Sequence, residues 1–153
     1  MLRGIWKGIR NIFKWLPIIW YDRDWDYYFL YKVLYFKLSG MEKHLRLYGN
    51  HEDAEKDADV IKVCVDALER LIEDDYCSEL LDQHRSKWGN VEFVDNPESK
   101  SCRLIYLKVK TEEDKELCSD ELQHCFDEEV KAILADLGLV FDTMKENIRC
   151  WWD

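Results

Sequence analysis

The sequence has little of what turns are made from: among its 153 residues are six glycines and two prolines, Pro17 and Pro97. Sandwiches and barrels of short strands need a turn about every 8–12 residues, so this shortage argues against them and favours a few long elements. The chain length suits one domain with its own core. We therefore predict a mainly α fold: a helical bundle of about five helices in a single domain, residues 1–153, with residues 1–16 as a basic amphipathic N-terminal helix.

Motifs that cradle phosphates or bind metals are also missing. Neither G-x-x-x-x-G-K-[ST] nor G-x-G-x-x-G occurs, so the sequence has no phosphate-binding motif that would indicate nucleotide hydrolysis or dinucleotide redox chemistry. The cysteines never form C-x-x-C and the four histidines are scattered, which disfavours zinc. The segment "ELQH", residues 121–124, is a Glu-x-x-His pair, but a di-iron bundle needs a second one. We predict a non-enzymatic protein without metal or cofactor, while a Cys125–His84 nucleophile pair stays open because such partners meet only in space.

Long apolar runs are absent as well. The run Trp15–Tyr21 is far shorter than the ~20 apolar residues of a membrane-spanning helix. The first 17 residues interrupt their apolar positions with a cation about every fourth residue, so we expect no signal peptide. The six cysteines are then expected to be reduced thiols in a cytoplasm, and four of them fall in helical patterns as small core residues.

Charge is distributed unevenly along the chain. Residues 1–16 carry four basic residues and no acid, whereas residues 17–153 carry the other 18 basic residues and all 32 acids, a net charge of −14. An acidic body repels phosphate backbones, which disfavours general nucleic-acid binding except through the first helix. It could approach a basic surface on a partner, although acid excess that merely keeps a small protein soluble is the more ordinary explanation.

The N-terminal helix is the most suggestive local feature. Its apolar positions are Ile5, Ile9, Ile12, Phe13 and Leu16, flanked by Trp6 and Trp15. Its cations are Arg3, Lys7, Arg10 and Lys14. Two interpretations stay open: a helix that binds a membrane surface or an acidic partner, or a helix that packs on its own aromatic neighbour with its cations over the protein's acidic surface.

Hydrophobic periodicity predicts the remaining elements. From Asp24 to about Gly49 a seam runs through Leu30, Leu34, Leu38, Met41, Leu45 and Tyr48, with Asp22 or Asp24 as N-cap and neighbours expected on several sides. From about Asn50 a second stripe comprises Ala54, Ala58, Ile61, Val65, Leu68 and Ile72. After the acidic residues 73–75 a helical spacing continues to Gly89, as an extension or as a separate helix.

In the second half of the chain the hydrophobic pattern changes from a helical to a strand-like period and then becomes helical again. The turn-like "DNPES" between β-branched and aromatic residues predicts a small β-hairpin near residues 91–109. "TEED" at residues 111–114 is a capping sequence, and it predicts a long helix that ends before Gly138. A last helix is predicted from Val140 onwards.

Several rings and cations could contact a ligand or partner. The candidates are Arg23, Trp25, Lys43, His44, Arg46, Arg149 and Trp152. Each of the cations is more often a solvated or ion-paired surface residue. Adjacent tryptophans on a helix point about 100° apart, so we expect Trp151 in the core and Trp152 at an interface with another protomer or a partner, which favours a homo-oligomer.

Three stretches together carry a resemblance: "WYDRDWDYYFLYKVLYFKLSGMEKHL", "ALERLIEDDY" and the terminal "CWWD". They resemble a family of small uncharacterised bacteriophage proteins with an aromatic R-D-W-D entry to a long helix. The resemblance implies viral origin, a location in the host bacterial cytoplasm and action by binding. The leading hypothesis is an accessory protein that binds a host factor and counteracts host defence. The alternatives are a sponge-like binder of a small anionic or nucleotide signalling ligand between protomers, and a structural or membrane-peripheral protein.

Overall fold

The computed structural model describes residues 2–23, 25–95 and 102–151. Within these ranges it contains five helices and one two-stranded antiparallel sheet. In chain order the elements are α1 (Leu2–Ile19), α2 (Tyr27–Tyr48), α3 (Ala54–Glu73), α4 (Ser78–Trp88), β1 (Val91–Asp95), β2 (Cys102–Tyr106) and α5 (Glu112–Asn147). The prediction of a mainly α fold with a small hairpin is confirmed.

The chain divides into two compact units. Unit 1 comprises the described residues up to Asp74 and from Ala135 onwards, and unit 2 comprises residues 75–134. The long helix α5 begins in unit 2 and ends in unit 1. That the chain is a single domain stays a prediction.

In unit 1, α2 and α3 form the main helix pair. The predicted N-cap of α2 was wrong in position: Asp26, not Asp22, precedes the helix, and its Oδ1 accepts from the backbone N–H of Tyr28 at 3.0 Å. The other predicted cap, Asp24, lies outside the described residues. At the far end Gly49 stops the helix, and a Cβ there would stand 2.5 Å from the Cβ of Ala54. Only glycine fits this close turn into α3.

The core of unit 1 lies on the stripe predicted for α3. Ala58, Ile61 and Leu68 are almost fully buried there, and Val140 of α5 is buried with them. Leu38 and Leu45 of α2 are also buried, but Leu30 and Tyr48, at the ends of the predicted seam, are mostly exposed. The seam prediction therefore holds for the middle of α2 and fails at both ends, because periodicity does not show how far a neighbour extends.

The predicted helix end at Gly138 is wrong. Helix α5 continues through Gly138 without a break to Asn147. A glycine inside a helix costs only about 1 kcal/mol relative to alanine, so packing on either side of it can override the stop signal. That packing is visible: Val140 is fully buried, and the carboxylate of Asp136 makes two hydrogen bonds with the Arg70 guanidinium of α3.

Unit 2 combines α4, the hairpin and the first part of α5. The left-handed residue Asp74 ends α3, so α4 is a separate short helix. In the hairpin, Val91 pairs with Tyr106 and Phe93 with Leu104. The capping sequence behaves as predicted: the Thr111 hydroxyl accepts from the Asp114 N–H, and the Asp114 carboxylate accepts from the Thr111 N–H, both at 3.0 Å.

Candidate functional site

The apolar face of α1 is exposed. Ile5, Trp6, Ile12 and Phe13 each leave more than half of their surface in water, with Phe13 at 70%, and Ile9 is 41% exposed. At about 100° per residue these five side chains fall within roughly 120° of the helix circumference. Arg3 and Arg10 lie beside one border of this face, whereas Lys7 and Lys14 lie further round the helix, on the side that faces α2. In α1 the residues that a soluble helix normally buries are thus presented outwards.

The opposite side of α1 packs on α2. Trp15 is half-buried and its ring meets the ring of Phe36 edge to face, with centroids 4.7 Å apart. The ammonium of Lys14 lies 5.4 Å from the centroid of the same phenyl ring, in a cation–π arrangement. The second interpretation of α1 is therefore confirmed in part: α1 does pack on the aromatic helix α2, but through Trp15, whereas most of its apolar stripe stays exposed.

A cavity of about 430 Å³ lies between these two helices. From α1 it is lined by Lys7, Lys14 and Trp15, and from α2 by Lys37 and His44, among other residues. Trp151 lines it too and is 5% exposed, which confirms the expected burial of this tryptophan. Its indole N–H is buried and meets no acceptor among the residues that the structure describes. The sequence pattern did not indicate Lys37 or the Trp151 indole N–H as part of a binding site.

The other predicted contact residues are dispersed. Arg23 lies over the Trp25 ring at 5.8 Å. Arg46 is held by Glu42 and Asp59, and these hydrogen bonds raise the pKa of its guanidinium. Lys43 and His44 line a smaller neighbouring cavity, whereas Arg149 is exposed just after α5. Trp152 lies outside the described residues. Of the predicted ligand residues, then, the structure brings His44 together with Lys7 and Lys14 in the larger cavity, and Lys43 together with His44 and Lys14 in the smaller one.

His84 pairs with a different cysteine from the one considered. Its Nε2 lies 3.0 Å from the backbone oxygen of Cys118 and 3.6 Å from the sulfur of the same residue. Because a carbonyl oxygen only accepts, Nε2 carries the proton and cannot take one from the thiol. Burial raises the pKa of the Cys118 thiol, with the nearby Glu121 adding to the shift. The arrangement is that of a packed structural pair and not of an activated nucleophile.

In the "ELQH" segment, the first residue is held by hydrogen bonds to side chains of α4. The Glu121 carboxylate accepts from the Lys87 ammonium and from the indole N–H of Trp88, the latter at 2.8 Å. These two hydrogen bonds lower the pKa of Glu121. His124 is exposed on the same helix. Within the described ranges, no three histidine, cysteine or acidic side chains are grouped as metal ligands would be.

None of the described helices is both long enough and apolar enough to cross a bilayer.

Comparison of the chain with protein-family models, with curated proteins and with solved structures finds no match. What the protein does must be inferred from its own side chains.

Proposed function

We propose that the protein is a non-enzymatic, membrane-peripheral binding protein that attaches to an anionic membrane surface through α1. The observation that carries this proposal is the exposed apolar face of α1, bordered by cations. A helix of this kind lies in the plane of a membrane with its apolar side chains between the acyl chains and its cations among the headgroups. Bacteriophage origin and the host target stay predictions.

The energetics favour a lipid surface. Transfer of the exposed parts of Ile5, Ile9, Ile12, Trp6 and Phe13 into an apolar phase gains on the order of 1–2 kcal/mol for each side chain. Each cation near an anionic surface adds about 1 kcal/mol. Arg3 and Arg10, the cations of α1 beside the apolar face, are complementary to anionic headgroups, whereas the body with its net charge of −14 would be repelled. Attachment should therefore depend on α1 alone.

Vesicle sedimentation tests the proposal with a matched pair of variants. Phe13 of α1 and Phe93 of β1 are similarly exposed, 70% and 74%. We expect the protein to sediment with vesicles that contain phosphatidylglycerol and much less with phosphatidylcholine alone. Phe13→Ser should reduce binding several-fold, whereas Phe93→Ser should leave it unchanged. Added salt should weaken the binding, because it screens the lysines and arginines.

Three outcomes contradict the proposal. One is equal loss of vesicle binding in both phenylalanine variants, and another is no binding of the unmodified protein at low salt. The third is self-association: if sedimentation velocity shows an oligomer that Phe13→Ser dissociates, and vesicles are not bound, a second copy of the chain covers the apolar face. That result would support the predicted homo-oligomer instead.

A further inference from the structure

The cavity between α1 and α2 contains an unpartnered donor. The indole N–H of Trp151 is buried and finds no acceptor among the described residues, although it belongs to a side chain that is 95% buried. Leaving a donor unpaired in this way costs about 1–3 kcal/mol, and buried polar groups in folded proteins are normally satisfied. An acceptor brought by a ligand would remove that cost.

Three lysines line the same cavity. Across the described part of the chain, Lys7, Lys14 and Lys37 form no ion pair. No described residue that lines the cavity is acidic, although the chain has 32 acidic residues for 22 basic ones. The described lining of the cavity is therefore electropositive, although the protein as a whole is acidic. Such a lining favours the binding of an anion.

Aromatic side chains form the remaining wall. Trp15 and Phe36 line the cavity together with Trp151, so an anionic group would sit beside ring surfaces. The volume of about 430 Å³ falls in the range of pockets that hold small molecules. The combination of donors, cations and rings suits a compact group with several acceptor oxygens and more than one negative charge, attached to a less polar part.

We propose that this cavity binds a phosphate monoester, with the Trp151 indole N–H donating to one phosphate oxygen and Lys7, Lys14 and Lys37 neutralising its charge. A phosphate monoester carries nearly two negative charges and three terminal oxygens, so it can satisfy the indole and several ammonium groups at once. A carboxylate offers two oxygens and one charge. The source of the phosphate is either a free metabolite or nucleotide, or a lipid headgroup. This site lies on the side of α1 opposite to its apolar face and does not depend on membrane attachment.

Titration of the full chain with three probes tests the proposal: inorganic phosphate, glycerol 3-phosphate and adenosine monophosphate. Calorimetry measures affinity, and nitrogen-edited NMR follows the indole N–H signals. The Trp151 signal is the one that Trp151→Phe removes, and it should shift when phosphate binds. Trp151→Phe keeps a ring but loses the donor, so affinity should fall roughly tenfold, as for loss of a hydrogen bond to a charged group. Lys14→Gln, an exposed change that does not disturb the core, should weaken binding similarly, and Lys131→Gln in unit 2 should not.

The pattern among the probes distinguishes the sources. Tighter binding of adenosine monophosphate than of glycerol 3-phosphate supports a nucleotide, since the aromatic wall then contributes. The reverse order, together with weaker vesicle binding by Trp151→Phe, supports a lipid headgroup. The proposal is overturned if no probe binds, if acetate binds as well as phosphate, or if Lys14→Gln and Lys131→Gln behave alike. Phe13→Ser should retain phosphate binding, so failure of the membrane proposal leaves this result intact.

Discussion

Replacing Gly138 with alanine should stabilise the protein, because α5 is one continuous helix. Glycine in a helix interior costs about 0.5–1 kcal/mol relative to alanine, through its larger loss of backbone freedom on folding. A Cβ on Gly138 would have open space around it, with the nearest neighbouring atom, Oδ2 of Asp142, 4.0 Å away. No steric cost offsets the gain, so Gly138→Ala should raise the free energy of unfolding by about 0.5–1 kcal/mol.

The measurement is urea and thermal unfolding followed by far-UV circular dichroism. For a chain of this length, 1 kcal/mol corresponds to a rise in Tm of roughly 2–4 °C. Gly89→Ala is the control, because Gly89 adopts φ 84° and ψ −177°, a conformation that essentially only glycine occupies. A Cβ there would also stand 3.1 Å from the Lys108 side chain. This variant should lose about 1–3 kcal/mol.

If Gly138→Ala destabilises the protein as Gly89→Ala does, the reasoning is refuted. Gly138 would then occupy a left-handed position at a helix C-terminus, where alanine is strained. Helix α5 would be two helices that meet near residue 138, as the sequence pattern indicated.

Three further predictions concern the stability and reactivity of the chain. Arg70→Met should lower the free energy of unfolding by about 1–3 kcal/mol in chemical denaturation, because the buried Asp136 carboxylate loses the guanidinium that makes two hydrogen bonds with it. The double variant Arg70→Met with Asp136→Leu should recover most of this loss. Equal stability of the single and double variants would contradict the prediction. Thiol labelling of the native protein, mapped by mass spectrometry, should modify the exposed Cys150 and spare Cys64 and Cys118. These two cysteines are buried, and burial raises the pKa of their thiols. Rapid labelling of Cys118 would refute its packing against His84. The pKa of Asp114 is lowered by hydrogen bonds from the Lys110 and Thr111 N–H groups and the Thr111 hydroxyl, so its contribution is present above the ordinary value of 3.8 and is lost as pH falls through the lowered value. The stability difference between the unmodified protein and Asp114→Ala should therefore shrink in strong acid, and a difference that persists there would argue against the carboxylate as its cause.

Local features of the fold could be predicted from the sequence because their causes are local. The stripe of α3 repeats every three or four residues, and Ala58, Ile61 and Leu68 are buried as that period requires. The Thr111–Asp114 capping box needs only four consecutive residues. The stop predicted at Gly138 failed because the residues that hold the helix together, Asp136 and Val140, find their partners on α3, 66 or more positions earlier in the chain.

The candidate sites depend even more on distant contacts. Which cysteine meets His84 follows from the packing of α4 on α5 within unit 2, and spacing along the chain does not reveal it. The unpartnered indole of Trp151 could not have been identified either, since burial and the lack of an acceptor are properties of the folded chain. Nothing in the sequence distinguishes Lys37 from the other lysines. It becomes a candidate ligand residue only because the fold places it in one cavity with Lys7 and Lys14 of α1.

The two open interpretations of α1 each describe one side of the helix. Intramolecular packing accounts for Trp15 and for the position of Lys14 over Phe36. It does not account for Phe13 and its apolar neighbours, which remain in water, nor for Lys7 and Lys14, which meet no acid in the part of the chain that the structure describes. The placement of these lysines over the protein's own acidic surface stays a prediction. We therefore propose different partners outside the chain for the two sides of α1: lipid for the apolar face, and phosphate for Lys7 and Lys14.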